Sequence, residues 1–373
     1  MISKRNFALG IVLLMFAMGG LWLFRLYRQP LGPALDLPTV TEMRPTRTSL
    51  SVGDEAVPIA STAASPSTAT STPQPLCGAP PTMDILAVGS DARGDHYLYG
   101  LADVIRLVHV DFVNKHVGIL EIPRDLWVEI PGISDHYGIT EGKLNQAYLY
   151  GNKGFGYYDG QSEGPGLLAE TLNLNYGVQL DHYLAVNMIT FENIVNAVDG
   201  IDVYLPNEIS VRSKDNPKGF AIPPGQHHID GETALWIARI RQYHTFGRAE
   251  NQNIVMCALR EKILSPAVLP AIPELVTTFQ RYVQTDLSPE QINQLACLAT
   301  RMNGSDVTFA GFPIETFNNA KKFDPQLKNT TSILEADNDV LRDYIERFQQ
   351  GIWPAPVEFD PELVTDIGLT CGN

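Results

Sequence analysis

The sequence predicts an α/β protein: a layered α/β/α domain with a central mixed sheet, preceded by one N-terminal transmembrane helix. Two observations carry this prediction. From Met83 onward, short runs that are apolar on both faces alternate with helical patterns, which is typical of a sheet covered by helices. One long uncharged apolar run stands near the N-terminus, at residues 7–24. The 373 residues allow one large domain with appendages or two domains.

The composition indicates a globular protein with an acidic surface. Hydrophobic residues make up 44% of the chain and charged residues 18%, which excludes a wholly disordered, collagen-like or coiled-coil protein. The formal net charge is −15. Because binding to a nucleic-acid backbone needs a broad basic surface, we expect no nucleic-acid partner. An anionic ligand would have to meet a local cluster of arginines.

The N-terminal run predicts an uncleaved membrane anchor at residues 7–24, after a cytoplasmic segment at residues 1–6. Its 18 uncharged residues are long enough to span a bilayer core at about 1.5 Å per residue. A cleavable signal peptide would have a shorter apolar region followed by a small-residue cleavage site. A buried core helix is disfavoured because the run is apolar on all faces and has two basic residues on each side. Because the two flanks carry equal numbers of basic residues, they do not determine the orientation of the anchor in the membrane.

A linker is predicted between the anchor and the folded domain. Residues 56–83 contain no charge, and the Ser/Thr/Pro-rich middle, residues 60–75, cannot bury enough apolar surface to fold. We interpret residues 25–79 as an extracytoplasmic linker, although a cytosolic linker could have the same composition. The folded domain is then expected at residues 80–350, followed by an irregular tail at residues 351–373.

Four cysteines allow three disulfide pairings. Cys77 and Cys371 bracket the region expected to fold, so the preferred pairing joins these two and, separately, Cys257 and Cys297. Such bridges would form in an oxidising compartment, and free buried thiols are the alternative. No Cys-x-x-Cys or Cys/His spacing supports a zinc or thioredoxin-like site.

Apolar periodicity predicts the following elements. Strands are expected at residues 85–88, 104–110, 117–122, 182–186 and 201–205. Helices are expected at residues 166–172, 191–198, 232–238, 248–263, 272–283, 289–300 and 332–348. Ser288 followed by Pro289 is typical of a helix start, with serine as the cap and proline in the first turn.

Two aspartates stand at neighbouring strand ends. Asp91 follows the first predicted strand, and Asp103 opens the second. A loop that leaves and re-enters the sheet at one edge can bring both carboxylates together, and two carboxylates with phosphate oxygens suit Mg²⁺. Aspartates at strand ends are more often loop caps or turn formers, so the pattern alone leaves both interpretations open.

Arginines cluster at three further positions. Arg124, with Asp125 beside it, closes the third strand and could point into a crevice at the sheet edge, although a structural Arg–Asp pair is the commoner explanation. The remaining candidates end one helical segment or begin the next, where guanidinium forks could bind a pyrophosphate near a helix N-terminus. A solvated arginine face is the alternative. These candidates are Arg239, Arg241, Arg248 and Gln252.

Short motifs occur along the chain in a fixed order. They are DILAVGSDAR at 84–93, AD at 102–103, IPRD at 122–125, KLNQAY at 143–148, DHY at 181–183, DGIDV at 199–203, GETAL at 231–235, RIR at 239–241 and FGR at 246–248 with Gln252. As an ordered set they resemble the LytR-CpsA-Psr family. The resemblance covers most of the region expected to fold.

The resemblance implies a bacterial, single-pass protein of the cell membrane with its C-terminal domain outside. Such a phosphotransferase moves a glycopolymer from a polyprenyl-pyrophosphate carrier to a peptidoglycan hydroxyl, with hydrolysis of the pyrophosphate as a possible side activity. Asp91 and Asp103 would hold Mg²⁺. The pyrophosphate would be bound by Arg124, Arg239, Arg241, Arg248 and Gln252, with Arg93 as a further contact. The residues expected to act in catalysis are Arg124, Asp125, Arg239, Arg241 and Arg248.

Three positions depart from the family pattern. Leu101 and Asn251 stand where the family usually has arginine, and Thr245 stands where it has aspartate. The alternative hypothesis is therefore a family member that binds polyprenyl phosphate or pyrophosphate without transferring it, and a third is an exported scaffold without a ligand. Candidate substitutes for the lost groups are Asp125, His244 and Arg93.

Overall fold

The computed structural model describes residues 24–37, 73–94, 97–211, 219–240, 247–352 and 371. The predicted anchor lies outside the described residues except for Phe24, and so does most of the predicted tail. Among the residues that are described, no helix has both the length and the apolar character needed to cross a membrane.

A mixed six-stranded sheet forms the centre of the domain. The described strands, in chain order, are β1 Thr82–Ser90, β2 Ala102–Asp111, β3 His116–Glu121, β4 Trp127–Glu129, β5 Glu141–Lys143, β6 His182–Asn187, β7 Ile201–Leu205, β8 Ile209–Val211, β9 Phe220–Ile222, β10 Gly225–Ile229, β11 Gln284–Thr285, β12 Val307–Ala310, β13 Asn318–Asp324 and β14 Asn329–Glu335. The sheet has the order β11-β6-β1-β2-β3-β12. Strand β1 is parallel to β6 and antiparallel to β2, which confirms the predicted mixed sheet.

Helices cover both faces of the sheet. The described α-helices are α1 Leu144–Gly151, α2 Glu163–Tyr176, α3 Met188–Ala197, α4 Gly231–Arg239, α5 Gly247–Leu264, α6 Ile272–Tyr282, α7 Pro289–Ala299 and α8 Asn338–Gln349. Because successive side chains of a strand point to opposite faces, Leu86 packs toward α1, α2 and α8, whereas Ile85 packs toward α7. Helices α3, α4 and α5 share a core of their own with β7 and β10.

The five predicted strands and the first six predicted helices are confirmed, with shifted ends. The seventh prediction, a helix at residues 332–348, is wrong in its first part. Ser332 lies in β14, and the helix begins only at Asn338, where the side chain of Asp337 accepts a hydrogen bond from the backbone N–H of Asp339. The β-branched residues Thr330, Thr331 and Ile333 favour the hairpin with β13 over a helical turn.

The preferred disulfide pairing is wrong. Cys77 bonds Cys297, and Cys257 bonds Cys371, so all four cysteines are oxidised. Three of these, Cys77, Cys257 and Cys371, pack against the same apolar cluster at one end of the sheet. Position along the chain therefore could not reveal which partners meet.

The segment at residues 24–37 packs against the domain, although residues 25–37 belong to the predicted linker. The guanidinium of Arg28 forms an ion pair with Glu290, at 2.7 Å between Nε and Oε2. The backbone N–H of Leu31 donates to the carbonyl of Leu287, at 3.2 Å, and Leu35 and Leu37 contact the main core. This part of the chain is thus held on the edge of the sheet beside β11 and α7.

Candidate active site

A cavity of about 460 Å³ lies between the sheet and helices α3, α4 and α5. The strands β1, β2 and β6 form its floor, and the three helices form its wall. Most of the lining is apolar, which suits a hydrocarbon group better than a polar one. The apolar lining residues are Ala87, Val88, Val104, Leu184, Val186, Met188, Phe191, Ile194, Leu235, Ala238, Val255, Met256 and Leu259.

Asp103 reaches the cavity through an irregularity in β2. Gly89 pairs with Val104 but Ser90 pairs with Ala102, so Asp103 is an extra residue in the ladder. Such bulges re-aim side chains and are common beside active sites. The carboxylate of Asp103 forms an ion pair with the guanidinium of Arg124.

Arg124 is held by acids on two sides. Its Nε lies 3.4 Å from Oδ2 of Asp125, whose Oδ1 lies 3.1 Å from Nζ of Lys143. Arg124 and Asp103 line the cavity, whereas the described lining does not include Asp125. Asp125 is therefore placed to position Arg124 rather than to contact a ligand in the cavity.

Two further arginines come from the helices. Arg239 ends α4, and its guanidinium lies 5.5 Å from the centre of the Trp236 ring. Arg248 lies in the first turn of α5 and donates from Nη2 to the backbone carbonyl of Asp103, at 2.9 Å. Both line the cavity beside Arg124. The structure thus brings together three of the five predicted arginines, and Arg241 lies outside the described residues.

Gln252 lines the cavity but is engaged on both ends of its amide. Its Oε1 accepts from Nη2 of Arg106, at 3.1 Å, and its Nε2 donates to the carbonyl of Ala238, also at 3.1 Å. The amide thereby ties β2, α4 and α5 together. The amide nitrogen has a second N–H, which could donate to a pyrophosphate oxygen without loss of either bond.

Arg106 is a cavity residue that the sequence analysis missed. It is only 2% exposed, and it donates to Asn253 and Gln252 of α5 and approaches Glu121 at 3.5 Å. Its Nε has no hydrogen-bond partner within the described residues. Burial lowers the pKa of Arg106; the charge of Glu121 opposes this shift, and that of Arg248 adds to it. A buried cation in a strand gives little signal in the sequence, because arginines are usually exposed.

Two predicted residues lie away from the lining. Asp91 accepts a hydrogen bond on Oδ1 from the backbone N–H of Leu101, at 2.5 Å, as a loop-capping aspartate does. Arg93 is exposed in the same loop. Neither is among the residues that line the cavity.

The LytR_cpsA_psr family model matches residues 58–339, which is well over half of the chain. The chain belongs to the LytR-CpsA-Psr family. All residues that line the cavity fall within the matched range, and the domain extends beyond it through most of α8.

Curated relatives support the family assignment. The chain is 28% identical over 239 residues to the regulatory protein MsrR of Staphylococcus aureus, covering 62% of this chain and 65% of MsrR. It is 29% identical over 213 residues to a polyisoprenyl-teichoic acid–peptidoglycan teichoic acid transferase, TagU, of Bacillus mycoides, covering 56% of this chain and 62% of TagU. The match thus spans less than two thirds of either relative.

A solved structure has the same fold. The crystal structure of TagV from B. subtilis matches with a TM-score of 0.54 at 23% identity, covering 72% of this chain and 97% of TagV. At this identity the likeness concerns the fold alone.

The LytR-CpsA-Psr site offers hard oxygen donors for a magnesium ion. Asp91 and Asp103 flank the ends of two paired strands, but one oxygen of Asp91 accepts from Leu101 and one of Asp103 faces Arg124. Within the described residues, no group of three or more acidic, histidine or cysteine side chains could hold a metal ion. Each carboxylate keeps one oxygen of the hard type that Mg²⁺ prefers, and a magnesium site shared by Asp91 and Asp103 stays a prediction.

Of the departures from the family pattern, Asn251 makes a side-chain contact, whereas Leu101 contributes only its backbone. The backbone N–H of Leu101 donates to Asp91, and the side chain of Asn251 donates to the carbonyl of Ile240, at 3.4 Å. Asn251 thereby joins the first turn of α5 to the residue that follows α4. Thr245 and His244 lie outside the described residues.

Proposed function

We propose that this protein is a membrane-anchored transferase that moves a glycopolymer from a polyprenyl-pyrophosphate carrier to a peptidoglycan hydroxyl. The observation that carries the proposal is an apolar cavity that Arg124, Arg239 and Arg248 line together with Asp103. A polyprenyl pyrophosphate has the matching parts, a long hydrocarbon and a compact anion. The similarity to TagU, a polyisoprenyl-teichoic acid–peptidoglycan teichoic acid transferase, supports this substrate class.

The arginines would bind and orient the pyrophosphate. Arg124 and Arg248 are fixed before binding, since the first pairs with the carboxylate of Asp103 and the second bonds its backbone carbonyl. Their guanidinium groups would neutralise charge on the phosphate oxygens as the bond to the departing polyprenyl phosphate lengthens. The acceptor oxygen forms the new bond to phosphorus as the bond to the polyprenyl phosphate breaks, and the hydroxyl proton passes to water. A magnesium ion bound by Asp91 and Asp103 would supply further charge neutralisation.

The proposed location is the outer face of the bacterial cell membrane, with residues 7–24 as the anchor. The two disulfides support it, because disulfides persist in oxidising compartments outside the cytoplasm. The uncharged Ser/Thr/Pro-rich composition of residues 60–75 is also common next to exported domains.

The experiment is a transfer assay with the full chain in detergent micelles. The reaction contains Mg²⁺, a polyprenyl-pyrophosphate-linked glycan and peptidoglycan, and it is compared with Arg124→Ala. We expect Arg124→Ala to lower the rate of transfer at least about 100-fold, because a positioned charge at a transition state contributes on this scale. Arg301→Ala, an exposed arginine after α7, is the matched control and should keep the wild-type rate. The proposal would be refuted if the wild-type protein showed no transfer and no pyrophosphate hydrolysis above the Arg124→Ala background.

A second candidate function is binding of the polyprenyl phosphate or pyrophosphate without transfer. Leu101 and Asn251 favour it, since neither can contribute the charge that the family pattern has there. The double variant Leu101→Arg/Thr245→Asp discriminates between the two functions. A large gain in turnover would indicate that the natural protein binds the lipid but has lost most of its transfer activity. An unchanged rate, in a protein that already transfers, would indicate a rearranged catalytic site.

A further inference from the structure

A cluster of aromatic rings is joined to the loop between β1 and β2, the strand that carries Asp103. Its members come from three separate segments, and we call them the aromatic platform: Tyr99, His136, Tyr137, Phe155 and Tyr157. Ring centres lie 5.5 Å apart for Tyr99 and Phe155, 5.2 Å for Phe155 and Tyr157, and 6.3 Å for Tyr137 and Tyr157. The rings therefore form one continuous surface.

The platform is fixed from below and yet open above. The buried ring of Tyr150 lies 6.0 Å from both Phe155 and Tyr157, and His136 stacks on Tyr157 at 4.4 Å. Tyr99 is 56% exposed and Tyr137 is 81% exposed. Tyr137 also has a φ of 59°, a backbone conformation that bulky side chains rarely adopt and that clusters at ligand-binding sites.

The charges around the platform decide among possible occupants. Asp135 and Asp159 are exposed in the segments that carry its rings, Lys153 is paired with Glu163 at 3.2 Å, and Arg93 is exposed in the loop that carries Tyr99. Together these groups have a net negative charge, which disfavours an anionic lipid surface. Sugar rings present apolar C–H faces that stack on aromatic rings, and their hydroxyls donate to carboxylates and phenol oxygens. The chemistry therefore fits a neutral glycan.

The platform is built on the loop that joins Asp91 to Asp103. The backbone N–H of Gly154 donates to the carbonyl of Leu98, at 3.0 Å, and Asn152 donates to the carbonyl of Gly100, at 3.2 Å. A Cβ atom on Gly100 would come within 2.5 Å of Oγ of Ser90, which lines the cavity. Tyr97, within the same loop, donates to the carbonyl of Tyr282, at 2.7 Å. These contacts tie residues 97–100 of the loop to the platform on one side and to the end of β1 on the other.

We propose that the aromatic platform is the binding site for the glycan strand that accepts the polymer. The role of this strand as the acceptor rests on the proposed function, whereas the binding of a glycan to the platform can be tested by itself. A strand lying across Tyr99 and Tyr137 would be held against the loop that precedes β2, the strand that carries Asp103.

The experiment measures binding of the full chain, in detergent micelles without any lipid donor, to peptidoglycan sacculi stripped of attached polymers. The test variant is Tyr99→Ala/Tyr137→Ala, and Tyr99→Phe/Tyr137→Phe keeps both rings. Tyr204→Ala is the matched control, since Tyr204 is 64% exposed on β7. We expect the alanine variant to bind about tenfold more weakly, the phenylalanine variant within about twofold of wild type, and Tyr204→Ala as wild type. A soluble tetramer of β-1,4-linked N-acetylglucosamine should displace the sacculi.

Three outcomes would overturn the inference. In the first, the alanine variant binds sacculi as tightly as wild type. In the second, Tyr204→Ala loses as much sacculus binding as the alanine variant does. In the third, the alanine variant loses binding to phosphatidylglycerol vesicles while its binding to sacculi is unchanged. Failure of the proposed function would be distinct. In that case Arg124→Ala would transfer as well as wild type, while sacculus binding would still depend on the two tyrosines.

Discussion

Asp103 is the residue on which the candidate site is centred. Its carboxylate pairs with Arg124, and its backbone carbonyl accepts a bond from Arg248. The side chain therefore has two effects of opposite sign, because it holds an arginine in place and yet repels an anion. Only the second effect is relieved when a metal ion binds.

We expect Asp103→Asn to separate these effects. In EDTA the variant should bind inorganic pyrophosphate at least as tightly as wild type, since a negative charge beside the anion has been removed. With Mg²⁺ its rate of glycopolymer transfer should fall at least about tenfold, because one of the two proposed metal ligands is lost. Isothermal titration calorimetry and the transfer assay measure the two quantities. Weaker binding in EDTA would contradict this reading of Asp103.

Arg106 should contribute to stability more than any exposed arginine. The variant Arg106→Met leaves the amide oxygens of Gln252 and Asn253 without their donor, so we expect the free energy of unfolding to fall by about 2–4 kcal/mol. Arg239→Met, which removes a partly exposed arginine, is the control and should cost less than about 1 kcal/mol. Urea denaturation followed by circular dichroism measures both. Equal losses would show that the buried network adds nothing.

At the residue scale, the sequence predicted which charged residues lie at the cavity better than it predicted their bonding partners. Asp103, Arg124, Arg239 and Arg248 do line one cavity. Asp125 and Gln252 turned out to bond other protein groups, because spacing along a chain cannot show which partner a side chain has already taken. Arg106 was missed for the same reason, since its place in a strand gave no sign that helix α5 would cover it.

At the element scale, local chemistry predicted the start of α7 correctly. Ser288 accepts from the backbone N–H of Gln291, and the side chain of Gln291 accepts from the backbone N–H of Ser288. We expect Ser288→Ala to lower the free energy of unfolding by about 1 kcal/mol, as the loss of an N-cap does. Ser134→Ala, at an exposed loop serine, should change it by less than about 0.5 kcal/mol. Thermal unfolding of both variants measures the difference, and equal midpoints would contradict the capping role.

Elements whose sequences lack a clear hydrophobic periodicity were not predicted. Helix α1 is buried at every residue except Leu149, so it has no polar face to reveal a helical repeat. Strand β12 has only four residues and joins the edge of the sheet by pairing with β3, nearly 200 residues earlier in the chain. Such pairing depends on tertiary structure rather than on local pattern.

The bond between Cys257 and Cys371 links the C-terminal region to α5, the helix that carries Arg248 and Gln252. Cys257→Ser/Cys371→Ser should lower the free energy of unfolding by about 2–4 kcal/mol, because the bond closes a long loop. Urea denaturation measures this loss. Peptide mapping by mass spectrometry without reduction provides the control, since it should recover Cys77 joined to Cys297 in the variant. Recovery of a Cys257–Cys297 peptide from the wild type would refute the pairing.

At the scale of the whole molecule, an acidic protein contains a local cluster of buried and half-buried arginines. The ordered motifs predicted the family, and the family model confirms it over residues 58–339. Periodicity predicted the layered sheet. The cavity itself could not be predicted, because its walls combine strands and helices that lie up to 170 residues apart.

The most direct test of the central claim is ligand-induced stabilisation of the full chain. The thermal unfolding midpoint is measured with a short polyprenyl pyrophosphate, with and without Mg²⁺, for wild type, Arg124→Ala/Arg239→Ala and the control Arg301→Ala. A ligand that binds only the native state raises this midpoint. We predict a Mg²⁺-enhanced rise in wild type and in Arg301→Ala that disappears in the double variant. No rise at saturating ligand, or an equal rise in all three proteins, would contradict the assignment of the cavity to a lipid pyrophosphate.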